Sequence, residues 1–171
     1  WSRLVGSEMC IRDRSNNCCE TSDDNNLNHK DAIQQRYGAA AKEKESCLCT
    51  PVSFNPIYLK AIPKVVIDKD YGCGDPTKWV KKNDVVLDLG SGSGKNAFIC
   101  AQIVGKEGKI IGVDQNSDML NLSRNSIKEF TKNIGYENIQ FIKGSIEKLD
   151  ELDKNNEPII KNSSIDIILS N

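Results

Sequence analysis

A short apolar segment, followed at once by a glycine-rich turn and a second apolar segment, constrains the fold of this chain more than any other feature. Residues 85–97 read VVLDLGSGSGKNA, with glycine at positions 90, 92 and 94. The β-branched run predicts a buried parallel strand, and the residues after the glycines predict a helix that Gly105 ends. A strand, tight turn and helix in this order are typical of the first unit of an α/β sheet that binds a nucleotide-like ligand.

Three further strands are predicted after this unit, with a helix between the first two. The strands are the segments KIIGVD, NIQFIKG and IDIIL, and the helix is SDMLNLSRNSIKEFTKNIG. Ser117 is the expected N-cap of this helix, and Gly135 is expected to end it. Alternating strands and helices predict the α/β class, with an open, mostly parallel sheet of four strands wound by right-handed crossovers.

The 171 residues are enough for one domain with a core, and they divide into three parts. We expect residues 1–28 to be a non-native or disordered leader, because the chain begins at Trp1 and the stretch VGSEMCIRDR resembles translated adapter sequence. Residues 29–76 are expected to be helical. Residues 77–171 would form the ligand-binding domain, cut short after its fourth strand, which would then be an unpaired sheet edge.

Charge and composition favour a small-molecule partner. The net charge is −1, so there is no electrostatic case for nucleic acid or an anionic membrane, and no apolar run approaches the ~20 residues that cross a bilayer. Seven irregularly spaced cysteines predict reduced thiols in a cytoplasmic protein. The single histidine and the absence of a CxxC pair predict no structural metal site.

The glycine turn can be tested against two phosphate-bearing ligands. An ATP-binding loop requires GxxxxGK followed by Ser or Thr, but Leu89 stands at the first glycine position and Asn96 follows the lysine. A dinucleotide-binding turn fits better, because Gly92, Gly94 and Ala97 form GxGxxA after a strand. Lys95, the residue that suggests ATP, is then expected to be a solvent-exposed residue of the first helical turn.

Two acidic residues at strand ends bear on the choice of ligand. Asp114 lies twenty residues beyond Gly94, where an acid that binds ribose is expected. Asp88 precedes the first glycine by two residues, and its negative charge would repel a bound pyrophosphate. The same charge suits a cofactor with a positive amine and a sulfonium, which describes S-adenosylmethionine.

The order VLDLGSGSG, GVD, KGSIEKL and IDIILSN resembles the binding motifs of the class I methyltransferases. The resemblance implies a Rossmann-like sheet, S-adenosylmethionine as cofactor, an acid that holds the ribose hydroxyls, and a segment after the third strand that borders the adenine. By position, the implied cofactor-binding residues are Tyr71, Asp88, Gly90, Gly92, Gly94, Asp114, Gln115, Ile146, Glu147 and Asn171. The alternatives are that the glycines serve only a tight turn and that Ile146 belongs to the core.

A longer stretch is similar to the arsenite methyltransferases. Residues 36–171, including RYGAAAKEKESCLCTPV and IPKVVIDKDYGCGDP, carry this resemblance. It implies cysteine thiolates that hold soft, trivalent arsenic, and Cys47 or Cys49 matches one such position. The resemblance places the other ligand cysteines beyond Asn171.

The implied function is methyl transfer from S-adenosylmethionine to thiol-bound trivalent arsenic. Alternatives are a methyltransferase with another small-molecule acceptor, an NAD(P)-binding oxidoreductase, or a fragment that catalyses nothing by itself. Two other cysteines have different expected roles. Cys73, between two glycines, is expected to be structural or part of the cofactor loop, and Cys100 is expected to pack as an apolar residue.

Overall fold

The computed structural model describes residues 3–6, 54–70, 74–150, 158 and 160–170, with only the backbone given for residues 3–6. Five strands are present: β1 (Arg3–Gly6), β2 (Val85–Leu89), β3 (Lys109–Asp114), β4 (Ile139–Lys143) and β5 (Ile167–Ser170). They form one sheet in the order β1, β5, β2, β3, β4, and every neighbouring pair is parallel. The prediction of a parallel α/β sheet containing four strands from residue 85 onward is confirmed.

In the described part of the chain, four α-helices and one short 3₁₀ helix accompany the sheet: α1 (Pro56–Leu59), α2 (Lys64–Asp68), the 3₁₀ helix (Pro76–Trp79), α3 (Lys95–Val104) and α4 (Ser117–Ile134). The predicted stops are confirmed, because Gly105 and Gly135 follow the last helical residues with φ of 73° and 86°. Glycine adopts this left-handed backbone without a steric penalty. Among the described helices, none combines the length and apolar character needed to cross a bilayer.

Residues along β2, β3 and β5 alternate between two apolar layers, as a period of two requires. Val86, Ile110 and Ile167 are buried on the face that carries α3 and α4. Leu87 and Ile111 lie on the opposite face, in a smaller cluster with partly buried residues of the segment before β5. Both faces of the central strands are therefore covered, which explains why these strands read as continuous apolar runs.

The segment 54–70 is fixed against the two long helices. Val66 is fully buried in the main core. The side chains of Gln102 and Asn133 donate hydrogen bonds of 2.9 Å to the backbone oxygens of Tyr58 and Ala61. These contacts hold the segment beside α3 and α4 and leave its last residue, Asp70, close to the glycine turn.

The edge of the sheet differs from the prediction. β1 pairs with β5 in parallel, with Arg3 opposite Ile167 and Gly6 opposite Ser170, so the expectation that the last strand forms an unpaired edge is wrong. The same four residues also depart from the expected disordered leader, because backbone hydrogen bonding to β5 gives them a strand conformation. The other residues of the leader, and the helix expected to begin at position 29, lie outside the described residues.

Candidate functional site

The glycine turn between β2 and α3 is held by backbone hydrogen bonds to the neighbouring strand. The N–H groups of Gly90 and Ser91 both donate to the carbonyl oxygen of Val113, at 2.8 and 3.0 Å. Gly92 and Gly94 have φ of 52° and 91°, a region that side-chain-bearing residues rarely adopt. The turn therefore lies at the carboxyl ends of β2 and β3, where parallel α/β sheets bind their ligands.

The third glycine is required by packing as well as by backbone conformation. A Cβ atom at Gly94 would lie 2.6 Å from Cζ of Phe141, and a Cβ atom at Gly112 in β3 would lie 2.5 Å from Cδ1 of the same ring. Phe141 thus fills the space beneath the turn. Neither Gly112 nor Phe141 was predicted from the sequence, although a glycine inside the strand KIIGVD is a signal of close approach.

Asp114 is joined directly to the glycine turn. Its Oδ2 accepts a 2.8 Å hydrogen bond from the N–H of Gly92, and its Oδ1 accepts a 2.7 Å hydrogen bond from the N–H of Asn116. The side chain is half-buried. Because an ionised carboxylate offers about four acceptor positions, each oxygen retains capacity for a ligand hydroxyl. The predicted ribose-binding acid and the predicted loop form one unit.

The residue that caps α4 differs from the expected Ser117. The side chain of Asn116 accepts hydrogen bonds from the N–H groups of Asp118 and Met119, at 2.9 and 3.2 Å, so Asn116 is the N-cap. Ser117 is instead the first helical residue, and its Oγ accepts a hydrogen bond from Nζ of Lys143. Asn and Ser are both favourable N-cap residues. The N–H of Asn116 donates to Asp114, and this hydrogen bond places Asn116 at the N-cap.

Asp88 is almost fully buried, with 2% of its surface exposed, at the end of β2. Its Oδ2 has no hydrogen-bond partner within the protein. Burial, followed by the charges of Asp114 and Asp70, raises the pKa of this carboxyl to about 7. Asp88 is therefore close to half-protonated at neutral pH, and a cationic ligand would favour its ionised form. Asp88 would therefore repel a bound pyrophosphate only when its own carboxyl is ionised.

Lys95 is the main departure from the sequence analysis at this site. It is 7% exposed rather than solvated, and its Nζ forms an ion pair with Oδ2 of Asp70. The same nitrogen lies 3.9 Å above the centroid of the Phe54 ring. Two residues of the segment 54–70 thus enclose the lysine, and the sequence contained no local signal for this because both partners come from a separate part of the chain.

Several buried polar atoms around the turn lack a partner within the protein: Asp88 Oδ2, Ser91 Oγ, Ser93 Oγ and Asn96 Oδ1. Buried polar atoms are normally hydrogen-bonded, so their clustering beside one turn indicates a ligand that donates hydrogen bonds there. The ionised carboxylate and the amide oxygen among them can only accept. S-adenosylmethionine fits this set, because its ammonium group donates hydrogen bonds and its charge is complementary to Asp88.

The predicted adenine segment lies at the same edge of the sheet. The N–H of Gly144 donates to the carbonyl oxygen of Asp114 at 3.1 Å, which brings the turn after β4 beside the ribose acid. Ile146 is 57% exposed in this turn, so the alternative that it is a core residue is not supported. The N–H of Glu147 donates to Oγ of Ser145 at 3.3 Å, and Gln115 is exposed directly after Asp114.

The cysteines divide between described and undescribed parts of the chain. Cys100 is fully buried in α3, which confirms its expected packing role. Burial, followed by the charges of Asp88 and Asp75, raises the pKa of its thiol well above the ordinary value, so it is poorly suited to form a thiolate. Four further residues of the sequence analysis lie outside the described residues, as does Cys73: Cys47, Cys49, Tyr71 and Asn171.

No three His, Cys, Asp or Glu side chains among the described residues are grouped so that they could hold a metal ion. The charges of Asp114 and Asp70 thus act on Asp88 without the three carboxylates forming such a site. The chemical capacity of the site is to bind a cationic ligand with hydroxyl and amino donors at the carboxyl edge of the sheet.

The chain is similar in sequence and in fold to several known proteins. The methyltransferase-domain family matches residues 80–171. The arsenite methyltransferase of Rattus norvegicus is 32% identical over 154 residues, covering 84% of this chain and 40% of that protein. The arsenite methyltransferase of Homo sapiens is 34% identical over 149 residues, covering 81% and 38%.

A solved structure agrees with these relatives. The arsenic(III) S-adenosylmethionine methyltransferase of Chlamydomonas reinhardtii superposes with a TM-score of 0.63 and 33% identity, covering 71% of this chain and 40% of that one. The chain therefore spans about 40% of the length of the relatives it matches. These likenesses favour a methyltransferase over the dinucleotide-binding oxidoreductase that the glycine pattern left open. The chain belongs to the methyltransferase-domain family and carries the Rossmann-like fold of the class I S-adenosylmethionine-dependent methyltransferases.

Proposed function

We propose that this chain is the cofactor-binding part of a methyltransferase that transfers a methyl group from S-adenosylmethionine to trivalent arsenic held by thiolates. The observation that carries the cofactor assignment is the buried, unpartnered Oδ2 of Asp88 beside the glycine turn that Asp114 holds. The similarity to arsenite methyltransferases supports the acceptor.

The residues at the carboxyl edge have separable roles in this proposal. Asp88 supplies negative charge for the positive end of the cofactor, and Asp114 accepts hydrogen bonds from the ribose hydroxyls. Ile146 offers an exposed apolar surface to the adenine ring. S-adenosylmethionine supplies an electrophilic methyl group when bound. The protein then has to exclude water and align an acceptor with that methyl group, and no general base among the described residues is needed for a soft nucleophile.

The proposed methyl acceptor depends on two cysteines that precede segment 54–70. Cys47 or Cys49 is the proposed arsenic thiolate, because one of them occupies the position that matches a ligand cysteine of the arsenite methyltransferases. Thiolate ligands suit trivalent arsenic, which is a soft centre. A methyltransferase with a different small-molecule acceptor would need neither cysteine, so the two thiols separate these functions.

The cofactor is tested by thermal unfolding of the whole 171-residue chain. S-adenosylhomocysteine should raise the melting temperature at concentrations above its dissociation constant, and NADH should leave it unchanged. Stabilisation by NADH alone would contradict the proposal and support the oxidoreductase.

The acceptor is tested separately by titration with arsenite under reducing conditions. Serine at one of the two positions, Cys47 or Cys49, should weaken arsenite binding, because a hydroxyl is a poorer ligand than a thiolate for a soft centre. Replacing the adjacent residues Cys18 and Cys19 by serine is the control. If all these variants bind arsenite as the original chain does, the arsenic assignment is wrong and another acceptor is favoured.

A further inference from the structure

The ion pair between Lys95 and Asp70 is withdrawn from solvent. The side chain of Lys95 is 8% exposed and that of Asp70 is 15% exposed, and the ring of Phe54 covers the ammonium group from the other side. A buried pair of this kind is sensitive to the loss of either partner, because the remaining charge would be left without compensation. It therefore fixes the end of segment 54–70 against the start of α3.

The position of Lys95 within its helix makes the partner necessary. Lys95 is the first residue of α3, next to the N-terminal N–H groups whose partial charges are positive. A cation is unfavourable there, and an anion is favourable. The carboxylate of Asp70 offsets the positive charge of Lys95 and the partial positive charge of the helix N-terminus. Electrostatics therefore explains why an acidic residue lies at this position.

Asp70 also acts on the buried carboxyl of the cofactor site. The charges that raise the pKa of Asp88 are those of Asp114 from β3 and Asp70 from the N-terminal segment, and the charge of Asp88 in turn raises the pKa of the Cys100 thiol in α3. The ion pair with Lys95, the first residue after the glycine turn, places the Asp70 carboxylate beside that turn. Three carboxylates thus contribute negative potential to one pocket.

We propose that Asp70 is a positioning residue of the cofactor pocket, and that its charge makes the pocket bind a cationic ligand in preference to a neutral analogue. The proposal rests on S-adenosylmethionine being the cofactor. S-adenosylmethionine carries a sulfonium charge that S-adenosylhomocysteine lacks, and the two molecules otherwise share their ammonium, carboxylate and adenosine groups. A more negative pocket therefore favours the cofactor over the product of methyl transfer and assists product release.

The first test compares the affinity of the whole chain for the two ligands by calorimetry. Asp70→Asn removes the charge and keeps the shape, and we expect the ratio of the S-adenosylhomocysteine Kd to the S-adenosylmethionine Kd to fall about three- to tenfold, as for one partly screened charge. Asp68→Asn is the matched control, because it removes the same charge from an exposed position two residues away. We expect the ratio to be unchanged in that variant.

The second measurement uses the ligand-free chain. A ¹³C NMR titration of the Asp88 carboxyl should give a lower pKa in Asp70→Asn and an unchanged pKa in Asp68→Asn. Should Asp70→Asn fail to fold, the double variant Asp70→Asn with Lys95→Met leaves no uncompensated buried charge. Its Asp88 pKa should still be lower than in the original chain, because the Asp70 charge that raises it is absent.

Two results would overturn the inference. One is an equal loss of affinity for both ligands in Asp70→Asn, which would indicate a purely structural role. The other is an Asp88 pKa that does not respond to Asp70. Failure of the proposed function is a separate outcome, since the original chain would then bind neither ligand while the NMR titration would still report on Asp70 and Asp88.

Discussion

The N–H of Gly92 donates a 2.8 Å hydrogen bond to Oδ2 of Asp114, twenty-two residues further along the chain. This bond joins the middle of the glycine turn to the end of β3, so the backbone proposed to approach the cofactor and the acid proposed to bind its ribose are held in one arrangement. Neither residue can move without affecting the other. Asp114 consequently has a structural role in the ligand-free protein as well as its proposed binding role.

Replacing Asp114 by asparagine separates these roles. Asn can still accept the Gly92 hydrogen bond through its amide oxygen, but the charge-assisted bonds to the ribose hydroxyls are lost. We expect the Kd for S-adenosylhomocysteine to rise at least about tenfold, in line with roughly 1.5–3 kcal/mol for hydrogen bonds to a charged group. Asp118→Asn, exposed in the first turn of α4, is the control and should bind normally. Equal affinities in the two variants would contradict the ribose role.

Gly94→Ala should destabilise the domain more than Gly135→Ala does. Both glycines have positive φ, 91° and 86°, so both variants lose about 1–2 kcal/mol from backbone strain. Only at Gly94 would the new methyl group meet the Phe141 ring, whereas the space at Gly135 is open. Urea unfolding should therefore show an additional loss for Gly94→Ala. Indistinguishable unfolding midpoints would mean that the ring moves aside without cost.

Asp88→Asn should stabilise the ligand-free domain at alkaline pH. The pKa of Asp88 is raised from 3.8 to about 7, so the folded state binds more protons than the unfolded state between these values, and stability falls as the pH rises through this window. Removing the titration removes that loss. We expect a gain in unfolding free energy of up to about 4 kcal/mol at pH 8, shrinking towards pH 4. Asp118→Asn should show no such pH-dependent gain.

Binding of S-adenosylmethionine should release a proton near neutral pH. A cationic ligand favours the ionised form of Asp88, so affinity should rise with pH up to about 7 and then level off. Calorimetry in buffers of different ionisation enthalpy measures the number of protons released. Asp88→Asn should abolish the release. A release that persists in this variant would have to come from another group.

Ile146→Ala should weaken cofactor binding without destabilising the fold. The side chain is 57% exposed in the turn beside Asp114, so its truncation costs little in the ligand-free state but removes apolar contact with the adenine. A rise in the Kd of about fivefold is expected. Ile57→Ala, at a residue 64% exposed on α1, is matched in chemistry and should leave the Kd unchanged. A parallel effect in both variants would rule out a local contact.

The strands and the ends of the long helices could be predicted from local sequence because their causes are local. The apolar, β-branched run of β2 and the glycines at positions 105 and 135 determine these features within a few residues. The N-cap of α4 lies one residue earlier than predicted, and this cause is local as well: the N–H of Asn116 donates to Asp114, two residues before it.

The parts of the candidate site that belong to sequence motifs could be predicted. Contacts between residues far apart in the chain could not. Asp88, Asp114 and the glycines follow a linear pattern, and the structure brings them together. The burial of Lys95 depends on Asp70 and Phe54, which precede it by 25 and 41 residues, so the general tendency of lysine to remain solvated gave the wrong result. The pairing of β1 with β5 is similarly non-local.

The ring of Phe141 also limits which substitutions this protein can accept during evolution. It occupies the space that a methyl group would need at both Gly94 and Gly112. At position 112, alanine becomes acceptable only after position 141 has exchanged its ring for a smaller side chain. The order in which these two substitutions arise would therefore decide whether a descendant of this protein keeps its cofactor turn.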